Sequence, residues 1–215
     1  MTKYFMLTPV LDIPQRKIFY IADSLTPASF LIIDDKAGGI LINCPTYSEA
    51  LLKEIESQGK IDYIFLPSRF GTESLQQWKA ATNAESIAHE IEADNIHHPI
   101  DIRVNHKTKL TRTMDFVPMA GRTGGTCALF LKNLPGVIFL GPALSIEKKV
   151  MAEKNWPSLI ENTDDASFET RMFGVLGLKD LKYDYVFTDD FNMQTCQYGP
   201  NASIEVGKNI DNYFN

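Results

Sequence analysis

The chain has 215 residues, of which 44% are hydrophobic and 22% are charged, and its formal net charge is −6. This length suffices for one sizeable domain, and the composition is typical of a globular protein rather than a disordered one. An acidic chain without a basic cluster longer than Lys148-Lys149 argues against nucleic-acid binding, which depends on lysine and arginine.

Cysteine usage and hydropathy indicate the cellular compartment. Three cysteines, Cys44, Cys127 and Cys196, lie far apart and form no CxxC pair. An odd number of scattered cysteines is typical of a reducing compartment. The N-terminal stretch carries no basic-then-apolar signal sequence, and no apolar run approaches the roughly 20 residues that cross a bilayer. We therefore expect a soluble, cytoplasmic protein without a membrane partner.

The first part of the chain predicts strands that alternate with helices. Apolar runs bounded by Asp, Gly or Pro indicate strands, and Ser or Thr before an amphipathic run indicates a helix start. The predicted elements are strands over 28–33, 39–43 and 63–66, a helix that starts at Thr46 or Ser48 and ends at Gly59, and a helix that starts at Ser74.

The remainder predicts a β-rich stretch followed by helices. The turn Asn133-Leu134-Pro135-Gly136 between two apolar runs predicts a hairpin. The predicted elements are strands over 86–89, 100–104, 115–118, 127–131, 137–141 and 184–189, a mainly helical region over 145–182 with Asp164 or Ser167 as a start, and a last helix over 202–213. Because no repeat or linker interrupts this order, we expect a single domain over residues 1–215.

The order of these elements resembles the metallo-β-lactamase fold, an α/β (αββα) sandwich of two mixed β-sheets flanked by helices. Five segments between about residues 25 and 191 carry the resemblance. Residues 28–32 resemble the family's opening strand, and residues 39–45 resemble its glycine-led strand. Residues 64–66 resemble the strand before its metal loop. Residues 119–126 resemble its Gly-His-Thr turn, and residues 137–144 resemble its strand that ends in Gly-Asp.

The family's metal ligands, carried over onto this sequence, fall on other residue types. The family's His-x-His-x-Asp-His loop can bind two metal ions because residues two apart on an extended chain share a side. Further ligands come from the Gly-His-Thr turn, the Gly-Asp strand and a late histidine. The corresponding positions here are Ser68, Phe70, Thr72, Glu73, Arg122, Pro142 and, for the late histidine, Asp189 or Asp190. Phenylalanine and proline side chains cannot coordinate a metal, and arginine repels one.

The histidines do not restore such a site. His89, His97, His98 and His106 are the four histidines of the chain, and all lie away from the three motif turns. We interpret them as structural or surface histidines. The sequence therefore predicts no metal and no other cofactor.

Arg122 is the residue that we expect to take over the electrostatic role of the metal. Carboxylates left in an emptied metal cleft would repel one another, and a planar guanidinium can hold two acceptors. The hypothesis pairs Arg122 with Glu73 and a late aspartate; the alternative is that these side chains are solvated and do not meet. The turn over 121–125 is either an anion cradle or simply a tight turn.

The sequence thus predicts a metal-free, catalytically inactive protein of this fold, whose cleft binds a small molecule or a protein partner. Ser68 has no histidine near it in sequence, which argues against a serine nucleophile. Cys44, at the mouth of the cleft in the family layout, is interpreted as a small buried residue. The resemblance also implies a possible homodimer. The residues expected to line the cleft are Ser68, Arg69, Thr72, Glu73, Arg122, Thr123 and Asp189.

Two alternatives stay open. One is a hydrolase of esters, thioesters or phosphoesters with a metal site built from Glu73, Asp189 and Asp190, whose oxygen ligands favour Mn²⁺ or Mg²⁺ over Zn²⁺. The other is a purely structural subunit, which a large exposed apolar patch would support.

Overall fold

The larger of two sheets is built from the first half of the chain. The computed structural model describes residues 7–22, 27–146, 154–160 and 163–214. The strands of this sheet are β1 (Leu7–Ile13), β2 (Arg16–Ile21), β3 (Ser29–Asp34), β4 (Gly38–Ile42), β5 (Ile61–Leu66), β6 (Glu85–His89) and β7 (Ile102–Val104). They lie side by side in chain order, antiparallel from β1 to β4 and parallel from β4 to β7.

The second sheet is built from the later strands and is also mixed. Its strands are β8 (Lys109–Thr111), β9 (Met114–Pro118), β10 (Cys127–Leu131), β11 (Val137–Phe139) and β14 (Tyr185–Phe187). The spatial order is β14-β11-β10-β9-β8, with β11 and β14 parallel and the other pairs antiparallel. A separate two-stranded pair joins β12 (Leu144–Ser145) to β13 (Ser158–Leu159).

Helices cover the outer faces of both sheets. They are α1 (Glu49–Glu56), α2 (Leu75–Thr82), α3 (Glu90–Ala93), α4 (Phe168–Leu178) and α5 (Ala202–Phe214), with a short 3-10 helix over Gly141–Ala143. Buried residues of α1 and α2 pack on the first sheet, and those of α4 and α5 pack on the second. A third buried cluster fills the space between the sheets. The predicted αββα sandwich of two mixed sheets is confirmed.

The local sequence accounts for these layers. On β5, Ile64 joins the cluster under α1 and α2, whereas Phe65 joins the cluster between the sheets. This alternation follows from the two-residue period of a strand. Ser48 caps α1 by accepting a hydrogen bond from the Leu51 amide at 3.2 Å, and Ser167 caps α4 by accepting one from the Thr170 amide at 3.2 Å.

Sequence reasoning missed several elements and assigned one region wrongly. The hairpin of β1 and β2 was not predicted. The region over 145–182 is not mainly helical where it is described, because it holds β13 and only α4 as a helix. Residues 147–153 and 161–162 of that region lie outside the described residues.

Loops from the two sheets come into close contact at one end of the sandwich. The Cys127 amide of β10 donates to the Pro67 carbonyl, just after β5, at 2.9 Å. Gly141 follows β11 with φ +55, and a Cβ there would lie 2.4 Å from Pro67 Cβ. Only glycine tolerates both that backbone conformation and that approach. These contacts bring the loop after β5 against the start of β10 and the segment that follows β11.

Each outer layer contains one tryptophan. Trp78 of α2 is fully buried, and its Nε1 donates to the Pro45 carbonyl at 2.8 Å. Trp156 is partly buried against the cluster under α4 and α5, and its carbonyl accepts from Asn209 Nδ2 at 3.4 Å.

Candidate functional site

A cleft of about 420 Å³ opens at the end of the sandwich where these loops meet. Residues that follow β5, β9, β11 and β14 contribute to its walls. Among them are Phe70, Glu73, Arg122 and Pro142, which the sequence comparison assigned to metal-ligand positions, and both candidates for the late histidine, Asp189 and Asp190. Most, though not all, of the positions deduced from the sequence therefore lie around one cleft.

Three residues expected to line the cleft do not line it. Ser68 is fully buried, and its Oγ accepts a hydrogen bond from the Phe70 amide at 3.4 Å. Thr123 is also fully buried and shares a hydrogen bond of 2.9 Å with the Thr126 hydroxyl. Thr72 is half-buried and donates to the Arg69 carbonyl at 3.5 Å. These hydroxyls stabilise the loops from inside, whereas Arg69, Glu73, Arg122 and Asp189 do line the cleft.

A network of charges links the loops around the cleft. Glu92 of α3 is fully buried, and its Oε2 accepts from the Arg69 amide at 2.7 Å. The Arg69 guanidinium lies 3.9 Å from the same oxygen through Nε and donates to Asp165 through Nη2. Because the charge-assisted bond to Asp165 favours the charged forms, it raises the pKa of Arg69 and lowers the pKa of Asp165.

The glycine-rich turn over 121–125 belongs to the same network. The Gly124 amide donates to Asp165 Oδ1 at 2.8 Å, and the Gly125 amide donates to Glu92 Oε1 at 3.1 Å. The turn therefore does hold anions, but they are carboxylates of this chain. We call Arg69, Glu92, Asp165 and the amides of Gly124 and Gly125 the loop-linking network.

Arg122 has a different partner from the one expected. Its Nε lies 3.3 Å from Asp164 Oδ2, and its guanidinium carbon lies 4.2 Å from the centre of the Phe70 ring. In the described residues it forms no ion pair with Glu73 or Asp189. Arg122 therefore pairs with Asp164, and the expected pairing with Glu73 and a late aspartate is wrong.

Asp189 lines the cleft and contacts Asn43, which follows β4 of the first sheet. Its Oδ1 accepts a hydrogen bond from Asn43 Nδ2 at 3.1 Å, and its amide donates to the Gly141 carbonyl at 3.3 Å. Burial raises the pKa of Asp189 to about 7. The hydrogen bond from Asn43 and the charge of Arg122 lower this pKa, whereas the charge of Asp190 raises it further. Asp190 itself accepts from the Thr188 hydroxyl at 2.6 Å and the Ile146 amide at 2.8 Å.

Glu73 lines the cleft, whereas Cys44, expected at its mouth, does not line it. Glu73 is exposed, and it has no hydrogen-bond or ion-pair partner among the described residues. Cys44 is 8% exposed, and burial, followed by the Glu73 charge, raises the pKa of its thiol. The thiol is therefore neutral at pH 7, as expected for a small buried residue.

The residues around the cleft do not fit a catalytic metal centre. Such a centre needs about three converging nitrogen, oxygen or sulfur ligands. In the described part of the chain, no group of three or more His, Cys, Asp or Glu is arranged to hold a metal. Of the cleft residues that the sequence comparison assigned to ligand positions, the side chains of Phe70 and Pro142 offer no metal donor and Arg122 is a cation.

The histidines lie elsewhere. His89 is 7% exposed and begins α3, where its Nδ1 accepts from the Ile91 amide at 3.3 Å. Burial lowers its pKa. The rings of His97 and His98 contact each other with centroids 5.6 Å apart, and His106 is exposed. Among the described residues none of the four lines the cleft.

Sequence reasoning missed Asn43, Glu92, Asp164 and Asp165 as residues of this site. Asn43 has φ 61 at the end of β4, where the family pattern has an aspartate, and that match was the signal available. Glu92 lies in a short helix and has two other acidic residues nearby in the sequence. Its position along the chain therefore does not mark it as a site residue. Asp164 was considered only as a possible helix start, and Asp165 was not considered.

Comparison with solved structures identifies the fold. The DIM-1 metallo-β-lactamase superposes with a TM-score of 0.70, at 12% identity, over 99% of this chain and 99% of that chain. A Cronobacter sakazakii metallo-β-lactamase with a HARLDQ motif gives a TM-score of 0.59 at 15% identity, over 85% of this chain and 79% of that one. The chemotaxis sensor ODP, in a peroxy diiron state, gives 0.63 at 14% identity, over 86% and 87%.

The chain has the metallo-β-lactamase fold. At such low identities the likeness extends to the fold alone, so the function has to be argued from the site. No family model and no curated protein matches the sequence. Among the described helices, none combines the length and the apolar character that crossing a membrane requires.

Proposed function

We propose that this chain is a metal-free, catalytically inactive protein of the metallo-β-lactamase fold that uses its cleft to bind a small molecule or a protein. One observation carries the proposal: Phe70, Arg122 and Pro142 line the cleft at positions that correspond to metal ligands. The cleft itself is retained, at about 420 Å³. A pocket of a few hundred Å³ with a few charged groups is typical of small-molecule binding.

The chemistry of the fold depends on a metal that supplies activated water. Here the space near one ligand position is taken by the Arg122 guanidinium over the Phe70 ring. A fixed positive charge there disfavours a dication electrostatically. The neutral thiol of Cys44 and the buried hydroxyl of Ser68 offer no activated nucleophile in its place.

The first test is metal content by elemental mass spectrometry. Tag-free protein, purified without chelator and then offered Zn²⁺, Mn²⁺ and Fe²⁺, is expected to retain less than about 0.1 metal ion per chain, because the cleft lacks coordinating side chains. The positive control is the triple variant Phe70→His/Arg122→His/Pro142→Asp, which supplies three ligands and should retain more zinc than the unaltered chain. Thioester, lactone and phosphoester substrates are assayed with both proteins.

Near-stoichiometric metal in the unaltered chain would overturn the proposal. It would favour the alternative of a hydrolase with a carboxylate site, since Glu73, Asp189 and Asp190 all line the cleft. Turnover without metal would also overturn it.

The proposal includes a reducing, cytoplasmic location. All three cysteines are unpaired and buried, which supports it. The homodimer implied by the resemblance stays a prediction.

A further inference from the structure

The outward side of helix α4 is apolar. Phe173 is 80% exposed, Phe168 is 52% exposed and Leu176 is 45% exposed. The inward side of the same helix is buried through Val175 and Leu178. A helix that is apolar all round is typical of a position that is buried all round. The outward side of α4 is therefore a surface suited to contact with a second molecule.

The C-terminal end of α5 extends this surface. Lys179, directly after α4, forms an ion pair with Asp211 of α5, so the C-terminal ends of the two helices lie together. Tyr213 and Phe214 follow Asp211 within one helical turn and are 47% and 39% exposed. We call this surface the α4–α5 face, and its apolar side chains are Phe168, Phe173, Leu176, Tyr213 and Phe214.

The area of the α4–α5 face indicates which partner fits it. With about 200 Å² for an aromatic side chain, the exposed fractions correspond to roughly 500 Å² of apolar surface. Apolar patches of this size on a single chain are often functional. Two copies packed face to face would bury roughly 1,000 Å² in total, which reaches the size of a specific protein–protein interface. A second copy of the chain therefore supplies enough area.

Phe173 and Gly177 give the face a shape that fits a copy of itself. The two residues are four positions apart, so they lie on one side of the helix. A Cβ on Gly177 would meet no atom within 4 Å, whereas a Cβ on Gly174 would lie 2.9 Å from Met119. Glycine weakens a helix interior, and no close contact among the described residues requires Gly177. In an antiparallel pair of α4 helices, a twofold axis would place each Phe173 ring over the Gly177 of the other copy.

The charges near the two ends of α4 suit the same antiparallel arrangement. Glu169 lies in the first turn of the helix, Lys182 follows the last turn, and both are exposed. An antiparallel copy brings the first turn of one helix towards the end of the other, so opposite charges approach each other. The same arrangement brings Phe168 of one copy towards Tyr213 and Phe214 of the other.

We infer that the chain forms a twofold homodimer through the α4–α5 face, with the two α4 helices antiparallel and each Phe173 packed over the Gly177 of the other copy. None of the residues of this face lines the cleft. The inference therefore goes beyond the proposed ligand-binding function and does not depend on it.

Sedimentation velocity on the full chain, over a series of protein concentrations, tests the inference. The unaltered protein should change from one to two chain masses as its concentration rises. Phe173→Glu should raise the dissociation constant of the dimer by about 100-fold or more, because it places a charge at the centre of an apolar contact. Leu134→Glu is the control, since Leu134 is 77% exposed in the turn between β10 and β11, away from the face. It should dimerise as the unaltered protein does.

A second variant tests the packing of Phe173 over Gly177. Gly177→Leu should raise the dissociation constant by about tenfold or more, because the new side chain occupies the space of the Phe173 ring. Within one copy that space is open, so the substitution should not lower the free energy of unfolding of the monomer. Urea denaturation at low protein concentration checks that both α4 variants fold as the unaltered protein does.

A monomer at every concentration overturns the inference. A dimer that Phe173→Glu leaves intact overturns the face, and a dimer that Gly177→Leu leaves intact overturns the antiparallel packing. If the unaltered protein is a monomer that cosediments with phosphatidylcholine vesicles, and Phe173→Glu abolishes this binding, the face contacts a lipid surface instead of a second copy.

Discussion

Two sets of charged side chains surround the same cleft, and they differ in whether the chain balances their charge. In the loop-linking network, Glu92 accepts from two backbone amides, and Asp165 joins Arg69 to Gly124. In the second set, Glu73 has no partner in the described residues, and Arg122 uses only Nε for an ion pair. The first set stabilises the loops, and the second leaves interactions open to a ligand. Substitutions in the two sets should therefore affect different properties.

The largest effect is expected when the buried member of the network is neutralised. Glu92→Gln should lower the free energy of unfolding by about 3–5 kcal/mol, because the amides of Arg69 and Gly125 lose a charged acceptor inside the protein. Urea denaturation measures the change. Glu90→Gln is the control on the same helix, since Glu90 is exposed, and should stay within about 0.5 kcal/mol. Equal effects of the two substitutions would show that the network does not hold the loops.

Substitution of Asp189 should change the free energy of unfolding by less than Glu92→Gln does, and should raise it rather than lower it. Its pKa rises from the ordinary 3.8 to about 7 in the folded chain, chiefly through burial. Folding therefore favours the protonated form of Asp189. The stability that this preference contributes is fully present below about pH 4 and is lost as the pH rises through 7. A shift of about three units corresponds to about 4 kcal/mol, which partial exposure reduces to about 2–3 kcal/mol.

The variant Asp189→Asn isolates this contribution. Its free energy of unfolding should exceed that of the unaltered protein by about 2–3 kcal/mol at pH 8, with little difference at pH 4. Urea denaturation at several pH values measures the difference, in which titrations common to both proteins cancel. A flat difference for Asp189→Asn would mean that Asp189 titrates as an ordinary surface carboxylate.

The smallest effect is the coupling within the exposed part of the network. A double-mutant cycle with Arg69→Gln and Asp165→Asn should give an interaction energy of about 1 kcal/mol, because both side chains are partly solvated. The exposed pair Arg103–Asp94 offers a matched cycle and should give about 0–0.5 kcal/mol. Equal coupling in the two cycles would assign no special role to the cleft pair.

The sequence predicted most of the fold because strand and cap signals are local. Ser48 and Ser167 cap helices through their own hydroxyls, and β5 and β10 are apolar runs of strand length. The hairpin of β1 and β2 escaped prediction because Pro9 and the exposed Lys17 interrupt its apolar pattern. Its place is set by pairing of β2 with β3, which is a tertiary interaction.

The site was less predictable, for a physical reason. The positions of Phe70, Arg122 and Pro142 follow from order along the chain, and they converge as expected. The partner of an arginine does not follow from order, because it depends on which carboxylate the fold brings within a few ångströms. Asp164, not Glu73, lies within reach of Arg122. Likewise the burial of Ser68 and Thr123 depends on packing of two sheets that the sequence does not show.

The tryptophans described above make the protein its own spectroscopic reporter. Trp78 belongs to α2, in the layer outside the first sheet, and Trp156 lies against the helices outside the second. A buried indole emits at shorter wavelength than a solvated one, so each ring follows the hydration of one layer. Trp156→Phe leaves a protein whose emission reports on the first layer alone, and Trp78→Phe does the converse. Together the two fluorescence signals distinguish cooperative unfolding of the whole molecule from separate unfolding of its two outer layers.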